Sequence, residues 1–312
     1  MKILLTGGCG YVGTALTNSL VEKKIYVDVV DTCWFGNKLK KNRFLKIFKI
    51  DLRNLEKFKF KKYDAVLHLA NIANDPAVDL NPVLSWEVNV LSTYKLLEKA
   101  SEVGVKKFIF ASSGSVYGVK REKKVIESLK LVPISAYNKT KMIAERVIES
   151  FSKNMKIYNI RPATVCGYSP KMRFDLTVNM LTLHGIKNNL ITIFGGNQIR
   201  PNIHIKDLIN VYEHFLFEKL PPGTYNAGFE NLKVLEIGRM IQNKLNCKLV
   251  KVSSNDPRSY RQDSTKLLNT GFKKKYSVND AIEEIIFYYK KKILKDHPTF
   301  HTVKWMKDNR IS

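Results

Sequence analysis

Along most of the chain, short apolar runs of strand length alternate with longer stretches in which apolar residues recur every third or fourth position. The first run, Lys2 to Leu5, is followed by Ala15, Leu16, Leu20 and Val21 at helical spacing. Further strands are predicted at Ile25 to Val30, Phe44 to Ile50, Tyr63 to Ala70, Lys107 to Ala111 and Met155 to Arg161. The run Tyr63 to Ala70 is almost continuously apolar, as expected for a parallel strand covered on both faces. Long amphipathic helices are predicted from Pro82 to Val103, with Gly104 as the stop, and from Ser135 onward. Strand–helix alternation of this kind predicts an α/β fold, a Rossmann-type doubly wound parallel sheet.

Beyond Gly167 the pattern loosens. A polar loop at 169–175 precedes a helix from Leu176 to His184. Shorter strands and helices then run to an amphipathic helix from Val278 to about Leu294. The expected organisation is a dinucleotide-binding domain at 1–165, an interleaved substrate-binding lobe at 166–295 and a tail at 296–312. Open α/β sheets bind ligands in the crevice beyond the carboxyl ends of their strands, where such a lobe would close.

The junction of the first strand and first helix carries Gly7, Gly10 and Gly13, spaced three apart and enclosing Tyr11 and Val12. Such a turn presents bare backbone N–H groups and a helix N-terminus to an anion, and resembles a dinucleotide fingerprint. Asp31 ends the second strand 18 residues after Gly13, near the ~20 residues at which a carboxylate meets the adenosine ribose. A carboxylate there repels a 2′-phosphate, so the expected cofactor is NAD rather than NADP.

Tyr137 and Lys141 are four residues apart and share one helix face, and Ser112 and Ser113 follow the fifth strand. An ammonium near a phenol lowers its pKa, and a tyrosine so tuned exchanges protons near neutral pH. Serine, tyrosine and lysine beside a nicotinamide form a set suited to hydride transfer.

These residues make the chain resemble the extended short-chain dehydrogenases/reductases that act on nucleotide-activated sugars, over residues 1 to about 295. The marks are the Thr6-Gly7 turn, Asp31, Asp51-Leu52, His68-Leu69-Ala70, Asn89-Val90, Ser113 with Tyr117-Gly118, Tyr137 and Lys141 with Glu145, Arg161-Pro162, and Arg200 before His204-Ile205 and Asp207. The resemblance implies that Ser113, Tyr137 and Lys141 are catalytic, that Tyr137 and Lys141 also hold the cofactor, and that Ser113 also holds the substrate. It places Asp51 and Leu52 near adenine, and Leu69, Ala70 and Asn71 along the cofactor, Asn71 standing where a second alanine is usual. It has Pro162 to Val165 line the nicotinamide. It further implies that Asn179, Arg200 and Arg258 reach a sugar-nucleotide diphosphate, and that the helices 82–104 and 135–153 form a homodimer interface.

The implied reaction is oxidation at C4 of a nucleotide sugar, first as a 4-epimerase, with a 4-dehydrogenase or 4-ketoreductase as alternatives. Related 4,6-dehydratases carry threonine-aspartate-glutamate at the position of Ser113; here Gly114 and Ser115 follow, so the acid and base for water loss are missing.

The 312 residues are 44% apolar, and 53 Lys and Arg against 28 Asp and Glu leave a formal charge of +25. Such a surplus admits nucleic acid as a partner, and a nucleic-acid-binding protein on a retained dinucleotide fold is the alternative from another class. The lysines are dispersed and no aromatic-interleaved basic platform occurs, so a lysine-rich solvated surface is expected instead. No run of 18 apolar residues and no leader pattern is present, so no membrane partner is expected. Cys9, Cys33, Cys166 and Cys247 are scattered and six histidines show no ligand spacing. Reduced thiols, a cytoplasmic setting and no metal are expected.

Overall fold

In the computed structural model, which describes residues 1–254 and 259–311, seven parallel strands form the central sheet. The strands are β1 (Lys2–Thr6), β2 (Tyr26–Asp31), β3 (Leu45–Lys49), β4 (Ala65–His68), β5 (Lys107–Ala111), β6 (Lys156–Pro162), β7 (Thr164–Cys166), β8 (Leu190–Phe194), β9 (Ile199–His204), β10 (Gly223–Ala227), β11 (Glu230–Lys233) and β12 (Lys248–Val252). The helices are α1 (Tyr11–Glu22), α2 (Asp75–Val78), α3 (Pro82–Trp86), α4 (Ser92–Glu102), α5 (Ala136–Glu149), α6 (Thr177–Asn188), α7 (Ile205–Phe217), α8 (Val234–Leu245), α9 (Thr265–Leu268), α10 (Val278–Lys290) and α11 (Thr302–Asp308).

The main sheet runs β10-β6-β5-β4-β1-β2-β3. The chain leaves β3 at one edge and re-enters at β4 beside β1, which opens the crevice of a doubly wound fold between β1 and β4. Both faces are buried because strand side chains alternate between them. Ile3 and Leu5 pack under α1 and α7, whereas Leu4, Val66, Phe108 and Phe110 pack against Leu96, Leu97 and Ala144 of α4 and α5.

The second half is less separable than its sequence implies. Its strand β10 pairs with β6 and completes the main sheet, so the lobe is sewn into the first domain. The lobe has its own core, in which Val178, Ile191, Ile193, Ile237, Ile241 and Ile282 join α6, β8, α8 and α10. Two small sheets, β11-β9-β7 and β12-β8, complete it.

Two elements differ from the sequence expectation. The stretch predicted as one helix from Pro82 is α3, a π-helical turn at Glu87–Leu91, and α4. The π turn rotates Asn89 inward, where its amide takes both backbone groups of Ile72 and donates to Thr140 at 3.0 Å. The tail is also structured: α11 buries Met306 against Ile72, Val78 and Val88. No helix among the described residues is long and apolar enough to cross a membrane.

Candidate active site

The glycine turn is shaped by contacts that exclude a side chain. Gly7 has a φ of +77°, and a Cβ there would lie 2.5 Å from the Ala70 nitrogen; at Gly13 it would lie 2.0 Å from the Gly7 oxygen. Gly8, outside the predicted trio, is equally confined, since its Cβ would meet Val29 at 2.6 Å. Helix α1 has no side-chain cap at Gly10, so its first amides, Tyr11, Val12 and Gly13, open onto a cavity.

Asp31 ends β2 beside this turn. One carboxylate oxygen accepts from the Cys9 amide at 2.9 Å and the other from Cys33 at 2.7 Å. Burial pushes its pKa up and these two amides oppose the rise. A side cavity of about 130 Å³ opens here, lined by Asp31, Asp51, Leu52, Ala70 and Asn71. Chain spacing hid one feature of it: Cys9 and Cys33 bring their sulfurs to 3.7 Å, and with Asp31 they form the one candidate metal-binding group among the described residues. The contact between the sulfurs lowers Cys33 below its ordinary value and raises Cys9.

The main cavity, about 770 Å³, runs from the glycine turn into the lobe. Ser113, Tyr137 and Lys141 stand together on its wall, as do Leu69, Asn71, Pro162, Val165 and Arg200. Ser113 caps a short 3₁₀ turn at Gly114–Tyr117, and its hydroxyl is 2.7 Å from that of Ser115. Ser135 caps α5, placing Tyr137 in its first turn and Lys141 one turn later. Lys141 donates to the Ala111 carbonyl at 2.6 Å, and burial pushes its ammonium down to about 7, Glu145 opposing. Burial raises the Tyr137 phenol, while the Ser113 hydroxyl and then Arg173 lower it. The sequence argument had Lys141 doing that lowering. In the fold burial pushes both groups toward their neutral forms, and serine is the larger favourable influence on the phenol.

A buried polar network fixes α5 against the sheet. Glu145 and Arg161, 1% and 4% exposed, pair bidentately at 2.9 and 2.6 Å. Ser112 donates to the same carboxylate, and Arg161 continues to Tyr117 at 2.8 Å. His68 bridges Thr6 and Thr93 at 2.6 and 2.8 Å, and burial drives its pKa to about 3, so it serves as a neutral strut. Ser113, Tyr137 and Lys141 thus rest on groups whose pairing the sequence did not reveal.

Asn179 falls outside the cavity. It is fully buried, with its amide accepting from Gly167 at 3.0 Å and donating to Tyr11 and the Arg173 carbonyl. The resemblance gives this side chain to a substrate diphosphate; in this structure its hydrogen bonds hold the loop that follows β7. Arg258 lies outside the described residues.

The model of the NAD dependent epimerase/dehydratase family matches residues 3–228. The chain belongs to this family. It is 30% identical over 214 residues to a putative UDP-glucose 4-epimerase of Methanocaldococcus jannaschii, covering 66% of this chain and 70% of that one. It is 26% identical over 315 residues to a UDP-glucose 4-epimerase of Lactobacillus helveticus, covering 90% and 95%. A solved UDP-glucose 4-epimerase of Thermotoga maritima with UDP-glucose superposes with a TM-score of 0.85 at 25% identity, covering 94% of this chain and all of that one. Matches extend to a UDP-glucuronic acid decarboxylase of Danio rerio at 23% identity and, in fold, to a dTDP-glucose 4,6-dehydratase of Streptomyces venezuelae at 20%. The family therefore spans several reactions.

As a member of this epimerase/dehydratase family the chain is an NAD-dependent enzyme, and its residues fit that cofactor. The turn is a cradle that a Cβ would fill, and both polar atoms of the Asn71 amide are buried at the cavity without a partner in the protein. The sequence reading had singled out no residue of the loop facing the turn, yet it lines the cavity with Lys171, Arg173 and Asp175. Arg173 donates to the Ala73 carbonyl at 2.8 Å and acts electrostatically on Tyr137. Its only sequence signal was two basic residues in an otherwise structureless polar stretch.

Proposed function

We propose that this enzyme interconverts C4 epimers of a nucleotide-activated sugar. The observation that carries this reading is that Ser113, Tyr137 and Lys141 share one continuous cavity with both the glycine turn and Arg200 of the lobe. Cofactor and nucleotide sugar would then meet at the serine–tyrosine–lysine wall.

In this reading the Ser113 hydroxyl holds the C4 oxygen and the Tyr137 oxygen takes its proton. Bound NAD supplies the hydride acceptor, and the donor for the return step. Lys141 holds the nicotinamide ribose, and its charge favours the phenolate once that ribose engages it. Arg200 binds a diphosphate oxygen, for which a guanidinium fork is suited. Dehydration finds no support, because Gly114 and Ser115 occupy the places of the acid and base and Ser115 is engaged with Ser113. A two-step epimerase must keep its keto intermediate, whereas a dehydrogenase releases it.

Incubation with a panel of UDP-, GDP-, CDP- and dTDP-sugars tests this. Conversion between C4 epimers seen by NMR, with no net reduced nicotinamide, is the expected result. Stoichiometric reduced cofactor with a keto sugar would make the enzyme a dehydrogenase.

The same reading includes a homodimer through α3, α4 and α5. Val83, Leu91 and Tyr94 are 69%, 58% and 46% exposed on one side of this region, an apolar set of the kind that marks an interface. Light scattering should return twice the 35.9 kDa chain mass, and Leu91→Asp should return the monomer.

A further inference from the structure

Lys171 is a buried cation without a counter-charge. It is 2% exposed, and its ammonium donates to two carbonyls, Met172 at 3.2 Å and Thr299 at 2.8 Å. An ammonium has three donors, and among the described residues two carbonyls accept from it. The carboxylates whose fields reach it are Asp31 and Asp175, and neither pairs with it among the described residues. The Phe35 and Phe300 rings flank it at 4.9 and 5.6 Å. Burial, with nearby Arg173, pushes it down to about 7, and an anion placed beside it would restore its charge.

Its position says which anion. Lys171 lines the same cavity as Gly10 to Gly13. Ser169, two residues earlier, donates to the Tyr11 carbonyl at 2.9 Å, which ties the loop to the glycine turn. Two residues of chain reach at most ~7 Å, so the Lys171 backbone stays close to the point where the loop is tied to α1. The C-terminal segment holds the cation from behind. Besides the Thr299 carbonyl, Phe300 accepts from the Phe174 amide, Asp175 accepts from Thr302, and the Trp305 indole donates to the Trp34 carbonyl.

We propose that Lys171 is the side-chain cation for the diphosphate of the bound dinucleotide, closing on it from the side opposite the glycine turn. This rests on NAD being the cofactor and is independent of which sugar is turned over. The turn supplies only backbone dipoles; Lys171 supplies a full charge on the other side.

The test compares two probes, ADP-ribose and adenosine, by ligand-observed NMR and calorimetry, without substrate. Lys171→Met, or Lys171→Gln if the first fails to fold, should weaken ADP-ribose about 10- to 100-fold, the scale of one charge-assisted hydrogen bond. Adenosine, which lacks phosphate, should bind the variant as it binds the parent. Lys171→Arg should restore most of the ADP-ribose affinity. Unchanged ADP-ribose binding, or an equal loss for adenosine, would overturn the assignment. Epimerase assays play no part in the readout, so a wrong sugar or reaction cannot mimic either outcome.

Discussion

Two stretches line the same cavity, and they are built on different principles. The glycine-turn wall is backbone. Its glycines lie close in sequence, and its geometry follows from where a Cβ would meet Gly7, Val29 or Ala70. The other wall, 167–175 with the C-terminal segment, is made of side chains. Its hydrogen bonds join residues far apart in sequence, Tyr11 to Gly167, Asn179 to Tyr11 and Lys171 to Thr299. A steric wall tolerates no side chain at its tightest positions, Gly7 and Gly13. A bonded wall tolerates many, each at a graded cost. Lys171 and Arg173 bring charge to a surface that backbone dipoles alone would leave weak.

The comparison breaks most sharply at Gly13. Gly13→Ala should abolish stabilisation by NAD in a thermal-shift assay, since the added Cβ meets the Gly7 carbonyl at 2.0 Å. Gly10→Ala, whose nearest neighbour is 3.3 Å away, should keep a measurable shift. Equal behaviour of the two would mean that the steric account of this wall is wrong.

Tyr137 lines the same cavity and separates chemistry from binding. Tyr137→Phe should lower kcat by about 10²- to 10⁴-fold, the range for a positioned acid–base group. NAD affinity should fall far less than kcat, because the substitution leaves the glycine turn and Lys141 in place. Intact turnover would remove Tyr137 from the mechanism.

Next in size is the pair that carries α5. Glu145→Ala leaves the Arg161 guanidinium buried and uncompensated, which costs about 3–5 kcal/mol. Urea unfolding should show that loss. Asn179→Ala, on the bonded wall, strips partners from the Gly167 amide and the Arg173 carbonyl and should cost about 1–3 kcal/mol. It should also speed NAD release, a coupling that Glu145→Ala need not show.

The smallest effect is a slope. Lys141 and Lys171 titrate near 7 in the folded chain, against ~10.4 when unfolded. Between those values the unfolded chain binds more protons, so these lysines make stability rise with pH across that window. Below about 7 their penalty is constant, and above the unfolded value it is gone. Without cofactor, Lys171→Met should flatten the rise measured by urea unfolding between pH 7.5 and 9.5. An unchanged slope would mean that Lys171 is better solvated than its burial implies.

What the sequence determined by itself is whatever local chemistry dictates. Alternating apolar runs specified the doubly wound sheet, because a strand buried on both faces must be apolar throughout. Gly7, Gly10 and Gly13 with Asp31 specified the dinucleotide turn, because at Gly7 and Gly13 only glycine accepts the backbone approach. Four-residue spacing put Tyr137 and Lys141 on one helix face.

The rest awaited tertiary structure because it depends on pairing across the chain. The π turn that aims Asn89 at Ile72 and Thr140 is set by long-range hydrogen bonds, so helical periodicity reads through it. The tether that Asn179 makes between Gly167, Tyr11 and Arg173 was hidden, since the sequence carries no record of which buried groups an amide will meet. Lys171 looked like one more lysine in a strongly basic chain. Only burial, which no single residue encodes, distinguishes it from the lysines on the surface.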